Sequence, residues 1–316
     1  MTAAPTIEAP PPVATPVDEH EVRRRGARRR TLRGWMFIGP VVIGTLLFNV
    51  IPVLPTLVTS FTDWDGLAAP KFAGVANYKE MFSGQDPLFG KSLINTAIYT
   101  VGYVPVGIII GIALALLVNN RLRGMAVIRA LIFLPYVTSL VAVGVISRWV
   151  FSDQYGVINA VLASFGITGP HWLGEPGSAM AAVIATAIWA NMGFNMIIVL
   201  AGLQGVPETL IEAATLDGAG RFSRFVHVTL PFLTPTIFML LILQTIGSFQ
   251  VFALILVMTG GGPGDGTYVY IYHLWYEAFS LRRMGYASAL AIVLFAVLLA
   301  VTWIQNRLSK RWVFYQ

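Results

Sequence analysis

Long apolar runs alternate with polar segments along this chain, and the runs are long enough to cross a bilayer. A membrane-spanning helix needs about 20 predominantly apolar residues. Six segments reach this length, approximately at residues 35–60, 92–118, 126–150, 179–203, 232–258 and 285–305. Pro135 in the third segment predicts a kink or a break there. The pattern predicts an all-α, polytopic membrane protein with six transmembrane helices.

Composition supports this fold class and excludes several kinds of site. Hydrophobic residues make up 56% of the 316 positions and charged residues only 11%, whereas a soluble domain carries about 25% charged residues. The chain has no cysteine, which excludes disulfides, thiol catalysis and thiolate metal sites.

The basic residues indicate an orientation in the membrane. With the amino terminus in the cytoplasm, the cytoplasmic segments hold fifteen Lys and Arg and the outer segments six. This bias predicts a multi-pass protein of the cell membrane with both termini cytoplasmic. The net charge of +6 is therefore explained by topology, and we expect no nucleic-acid partner.

Three regions follow along the chain. Residues 1–33 are predicted to form a disordered, Arg-rich cytoplasmic tail, with seven arginines from Arg23 to Arg33. Residues 34–306 form the six-span domain, and residues 307–316 a cytoplasmic C-terminal tail. The first apolar run is longer than the roughly 7–15 residues of a signal peptide core, which predicts an uncleaved first span.

The spans carry no Asp, Glu, Lys or His in their interiors. Ion-coupled transporters usually need such residues as relays, so the energy for transport would enter elsewhere. Neutral polar residues occur instead, and the candidates for a solute path are Asn191, Asn195, Gln244, Ser248 and Gln250. Such side chains suit a hydroxyl-rich neutral solute, but they equally serve as hydrogen bonds between helices, and both interpretations stay open.

A polar loop separates the fourth and fifth spans, and we define it as residues 206–231. Pro207 suits the first turn of a helix, and Glu208 and Glu212 follow on one face. Gly218 and Gly220 predict a turn, with a second short helix after it. Glu212 is predicted either to meet a basic partner outside the membrane or to pair with Arg221 or Arg224.

Catalytic and metal sites are not indicated. The glycine-rich stretch at 260–267 lacks the Lys of a phosphate-binding loop. The four histidines are scattered without metal-ligand spacing, and they are His20, His171, His227 and His273. We therefore expect no enzymatic activity, no bound metal and no cofactor.

One motif in the polar loop resembles a known family. Glu212-Ala213-Ala214, then Gly218, then Val228 and Leu230-Pro231 resemble the EAA loop of permease subunits of binding-protein-dependent ABC importers. Further stretches resemble its carbohydrate branch, of the maltose, disaccharide and glycerol-phosphate type: FTDWDG at 61–66, WLGEP at 172–176 and FQVFALILVMTGGGP at 249–263. Val228 replaces the usual Ile, and Ala253 stands where the family often has Asp.

The resemblance implies a permease that forms half of the translocation path for a sugar or polyol. The expected partners are a second homologous permease, a cytoplasmic ATPase dimer that binds the ATP, and an extracytoplasmic solute-binding protein or lipoprotein. ATPase coupling is assigned to Glu212, Ala213, Ala214, Asp217, Gly218, Leu230 and Pro231. The alternatives are a membrane enzyme acting on lipid-linked sugars and an ion-coupled carrier.

Overall fold

The computed structural model of the protein describes residues 34–120 and 122–314. The predicted N-terminal tail lies outside these ranges. The chain divides into two compact units, one that ends at Pro55 and one that begins at Thr56. The packing described below belongs to the second unit.

Helices dominate the described residues. They are α1 (Gly34–Thr59), α2 (Ala76–Phe82), α3 (Pro87–Val118), α4 (Met125–Val137), α5 (Leu140–Val150), α6 (Val157–Ser164), α7 (Pro176–Leu203), α8 (Glu208–Leu216), α9 (Arg221–Phe249), α10 (Ala253–Met258), α11 (Tyr270–Trp275) and α12 (Met284–Ser309). Two short antiparallel strands, β1 (Thr62–Asp63) and β2 (Lys71–Phe72), form a hairpin after α1. A π-helical turn at Phe225–Thr229 lies within α9, and another at Tyr276–Ser280 follows α11.

The predicted membrane spans are confirmed as far as helix length and hydropathy can test them. Five helices, α1, α3, α7, α9 and α12, are long and apolar enough to cross a membrane. The sixth candidate is the pair α4 and α5, which meet at an angle of 95°. This bend follows Pro135 by a few residues and confirms the predicted break.

Two boundaries around the fifth span were predicted wrongly. The segment at 232–258 is not one helix, because α9 ends at Phe249 and residues 250–252 separate it from α10. The second short helix expected after the glycine turn is also absent as a separate element in the described chain. It is the start of α9, which continues from Arg221 through a π-helical turn into the span.

Helix α7 is the centre of the packing, and glycines bring its neighbours into close contact. A Cβ on Gly111 of α3 would lie 2.5 Å from the Cβ of Asn195. A Cβ on Gly193 would lie 2.4 Å from the carbonyl oxygen of Ile132 in α4, and one on Gly202 would lie 2.6 Å from the hydroxyl of Thr236 in α9. Small residues permit such close helix approach within a membrane. The main hydrophobic core therefore lies between α3, α7 and α9.

Candidate functional site

A cavity of about 520 Å³ opens beside the two interrupted spans. Its wall combines tyrosines, amides and apolar side chains, namely Tyr99, Tyr103, Tyr136, Leu140, Ala187, Asn191, Phe194, Leu243, Gln244, Gly247, Gln250, Val251, Phe252, Ala253 and Leu254. None of these described lining residues is charged. The break between α4 and α5 and the break between α9 and α10 both border the cavity. Irregular backbone at membrane depth is tolerated where it lines such a space.

Aromatic rings cover two parts of the wall. Tyr99 and Tyr103 stack with ring centroids 5.5 Å apart, and Tyr136 stacks on Phe194 at 4.9 Å. A wall of stacked aromatic rings and neutral amides suits a solute with apolar ring faces and polar edges. The contribution of Tyr136 and Phe194 could not be predicted from spacing, because α4 and α7 meet only in the folded chain.

A chain of hydrogen bonds, which we call the amide chain, supports this wall. The hydroxyl of Tyr103 donates to Oε1 of Gln244. Nε2 of Gln244 donates to Oδ1 of Asn195, and Nδ2 of Asn195 donates to the carbonyl oxygen of Gly107 at 3.0 Å. The amide chain thus links α3, α9 and α7.

The structure separates the residues predicted to form the solute path. Asn191, Gln244 and Gln250 line the cavity. Asn195 lies behind the wall, buried in the amide chain. Ser248 is buried away from the cavity, where its hydroxyl hydrogen-bonds to Thr100 of α3 at 2.9 Å.

The polar loop has the predicted first helix and the predicted glycine turn. Helix α8 begins after Pro207, and Asp217 and Gly218 follow its last residue. Gly218 has a φ of +78°, a left-handed conformation that costs other residues roughly 1–2 kcal/mol. The backbone N–H of Gly218 donates to the carbonyl oxygen of Thr215 at 3.1 Å and closes the turn.

Glu212 is exposed on α8 and, within the described residues, forms no ion pair. Arg224, one of the two competitors considered for it, donates instead to the hydroxyl of Thr215. Ala213 and Asp217 are also exposed, whereas Ala214 is half-buried. Leu230 and Pro231 are half-buried within α9, directly after its π-helical turn.

A second polar group, which we call the Asp86 cluster, gathers at the ends of α3 and α12. Its members are Glu80, Asp86, His273, Glu277, Arg283 and Tyr286. Oδ1 of Asp86 caps α3 by accepting from the N–H of Leu88. Oδ2 of Asp86 contacts Nε2 of His273 at 2.8 Å and accepts from the hydroxyl of Tyr286. Arg283 donates to Glu80 at 2.6 Å and to Glu277 at 3.1 Å.

Burial and mutual contacts shift the pKa values of three side chains in this cluster. Burial would raise the pKa of Asp86, but hydrogen bonds from Tyr286 and contact with His273 outweigh it, so the pKa is lowered. Burial lowers the pKa of His273 against the opposing effect of Asp86. Burial also raises the pKa of Glu277, and Arg283 opposes that shift.

Sequence spacing gives no signal for the Asp86 cluster, since its members come from two segments that are far apart in sequence, residues 80–86 and 273–286. Ligand-type atoms of Asp86, His273 and Glu277 lie within 4.8 Å of one another. Tyr286 and Arg283 already hydrogen-bond to the two carboxylates. The arrangement is therefore that of a buried ion-pair network.

Comparison with known proteins shows the family to which the chain belongs. Residues 107–314 match the model of the binding-protein-dependent transport system inner membrane component. A probable ABC transporter permease protein of Bacillus subtilis, YesP, is 41% identical, with 93% of this chain and 96% of the relative covered. The sulfoquinovosyl glycerol transport system permease SmoG of Agrobacterium fabrum is 38% identical over 87% and 89%. The trehalose/maltose transport system permease MalF of Thermococcus litoralis is 32% identical over 89% and 95%.

The fold also matches a solved structure. A bacterial ABC transporter involved in the import of the acidic polysaccharide alginate superposes with a TM-score of 0.77 at 24% identity, covering 92% of this chain and 99% of that chain. Permeases of this family are membrane subunits without catalytic activity, which decides against a membrane enzyme and an ion-coupled carrier. The chain belongs to the inner membrane components of binding-protein-dependent transport systems, and it is a multi-pass permease of an ABC importer.

Proposed function

We propose that this permease forms half of the translocation path for a neutral sugar or polyol. The observation that carries the proposal is the uncharged cavity beside the two interrupted spans, walled by tyrosines and amides. Discontinuous helices are typical of substrate sites in membrane transporters. Relatives named for the transport of trehalose, maltose and lactose support a sugar as the solute.

The proposal includes three partners. A second, homologous permease completes the path, and a cytoplasmic ATPase dimer binds and hydrolyses the ATP. An extracytoplasmic binding protein delivers the solute, and a similarly folded alginate importer supports this because it was crystallised with its solute-bound periplasmic protein. The positive-inside bias favours cytoplasmic positions for both termini and for the polar loop.

Coupling to the ATPase is proposed to occur through α8. Glu212 is exposed and has no cationic partner in the described chain, so its carboxylate is free for a basic residue of the ATPase. The apolar side chains of Leu210 and Leu216 are exposed on the same short helix, with 41% and 89% of their surface accessible. Exposed apolar surface rimmed by polar residues is typical of a site that binds another protein.

The test uses the assembled importer in proteoliposomes, with its second permease, ATPase and binding protein. We expect uptake of at least one sugar from a panel of maltose, trehalose and lactose. Glu212→Lys should lower that uptake at least tenfold, because it places like charges at the docking site. Lys310→Glu, a charge reversal at an exposed residue outside the loop, is the control and should transport normally.

Membrane insertion and basal ATP hydrolysis of Glu212→Lys should stay close to the wild type. Normal uptake by that variant would contradict the coupling role of α8. Wild-type uptake of no sugar in the panel would contradict the proposed solute class.

A further inference from the structure

The amide chain has a fixed hydrogen-bond direction, and this direction determines what Tyr103 can offer to a solute. The chain starts at Tyr103 on α3, passes through Gln244 and Asn195, and returns to Gly107 on α3. Tyr103 and Gly107 are four residues apart and therefore share one face of the helix.

The carbonyl oxygen of Gly107 can only accept a hydrogen bond, so the atom of Asn195 that faces it must be the donor Nδ2. Oδ1 of Asn195 then faces Gln244 and must accept a hydrogen bond from Nε2 of Gln244. Oε1 of Gln244 is left facing Tyr103, whose hydroxyl must donate to it. Each step follows from the backbone carbonyl, which settles the orientation of both amides.

Reversal of the amide chain is sterically and electrostatically disfavoured. Asn195 is 1% exposed, and the close approach of α3 at Gly111 holds its Cβ in place. Turning the Asn195 amide would place Oδ1 against the carbonyl oxygen of Gly107 and leave two buried acceptors without a hydrogen. Such an arrangement costs about 1–3 kcal/mol per unsatisfied group.

Tyr103 has one hydroxyl hydrogen, and this hydrogen forms the hydrogen bond to Oε1 of Gln244. Any further partner of that hydroxyl must therefore donate to the oxygen. Asn191 supplies a second acceptor on the same wall. Its Nδ2 donates to the carbonyl oxygen of Ala187 at 2.9 Å, so Oδ1 remains available.

We propose that Tyr103 is a specificity-determining residue that selects a hydroxyl hydrogen of the solute, and that Asn195 positions it through Gln244. The proposal rests on the proposed function and deepens it. A solute with a free hydroxyl opposite Tyr103 is accepted. A solute with a methyl ether or a carboxylate there has no hydrogen to donate and is disfavoured.

The test compares uptake by wild type and Tyr103→Phe in the assembled importer. The probes are the sugar of the panel that the wild type transports fastest and its set of mono-O-methyl derivatives. The same binding protein serves both importers. Its preference among the probes therefore cancels in the ratio of variant uptake to wild-type uptake for each probe. We expect the ratio to fall to about one tenth for the parent sugar, as the loss of one hydrogen bond predicts.

One mono-O-methyl derivative should give a ratio near one, because it already lacks the hydroxyl that meets Tyr103. Gln244→Met, which keeps the side-chain length and removes the amide, should show the same derivative-specific pattern. Thr245→Val is the matched control, since Thr245 is buried beside Gln244 but hydrogen-bonds to Gln305. Its ratios should be equal for all probes.

Equal loss for the parent and every derivative in Tyr103→Phe would overturn the inference and leave the sugar-permease function standing. Unchanged uptake of all probes by that variant would overturn it as well. If the wild type transports none of the panel sugars, both the inference and the function on which it rests are overturned.

Discussion

Two buried polar networks in this permease follow opposite physical rules. The amide chain is neutral and lies among the apolar helices α3, α7 and α9, beside the cavity. The Asp86 cluster is charged and lies at the helix ends, with three carboxylates, one guanidinium and one imidazole. Neutral amides can be fully satisfied inside a membrane, whereas ionised groups there are costly.

The difference between the networks determines how each responds to its surroundings. The amide chain joins a tyrosine hydroxyl, two amides and a backbone carbonyl, none of which titrates near neutral pH, so its geometry is insensitive to pH. The Asp86 cluster contains groups whose pKa values are shifted by burial and by each other. It connects α2, α3 and α12 at the cost of sensitivity to charge removal and to pH.

The largest expected effect is that of removing the only guanidinium of the Asp86 cluster. Arg283→Met would leave Glu80 and Glu277 close together without their shared cation. Removing one partner from a buried ion pair costs about 3–5 kcal/mol, and we expect about 2 kcal/mol here because the Arg283 side chain is 38% exposed. Thermal unfolding of the detergent-solubilised protein measures this loss.

The neighbouring Arg282→Met is the control, because Arg282 is exposed and forms no ion pair in the described residues. Equal destabilisation by the two variants would show that the Asp86 cluster contributes nothing beyond general surface charge.

A comparable effect is expected from crowding the amide chain. Gly111→Ala places a methyl group 2.5 Å from the Cβ of Asn195, and overpacking of this kind costs about 1–3 kcal/mol. Gly90→Ala adds the same group on the same helix with nothing within 4 Å, and it should not lower the unfolding temperature. If the two variants had the same unfolding temperature, α3 would be able to move away from α7 at little cost in free energy.

The smallest effect is a change in the pH dependence of stability. Because burial lowers the pKa of His273 in the folded protein, the unfolded chain binds a proton first as pH falls. The His273 imidazole thus lowers the free energy of unfolding as pH falls from about 7 through about 6.5, the pKa of a histidine in the unfolded chain. Glu277, with a raised pKa, acts in the opposite direction.

The difference between wild type and His273→Gln isolates the imidazole. We expect the variant to lose less stability than the wild type between pH 7 and pH 5, measured by thermal unfolding. The exposed His171→Gln is the control. A steeper acid loss in His273→Gln would show that a charged imidazole stabilises the Asp86 cluster instead.

Much of the site could be predicted from the sequence, and the failures have physical causes. Asn191, Gln244 and Gln250, chosen as neutral polar residues within the spans, line the cavity. Spacing could not distinguish Asn195 from Asn191, because only the approach of α3 at Gly107 and Gly111 buries one and leaves the other at the wall. The sequence shows no partner near His273, and the fold brings it to Asp86 across 187 positions of sequence.

The sequence alone determined the class of protein, the number of candidate spans and the polar loop with its glycine turn. These features depend on local composition, on helix length and on a backbone conformation that Gly218 permits. Only the tertiary structure decided that α9 ends at Phe249, that the two broken spans border one cavity, and which polar side chains face it. Those outcomes depend on contacts between distant helices, and the pattern along one helix does not contain them.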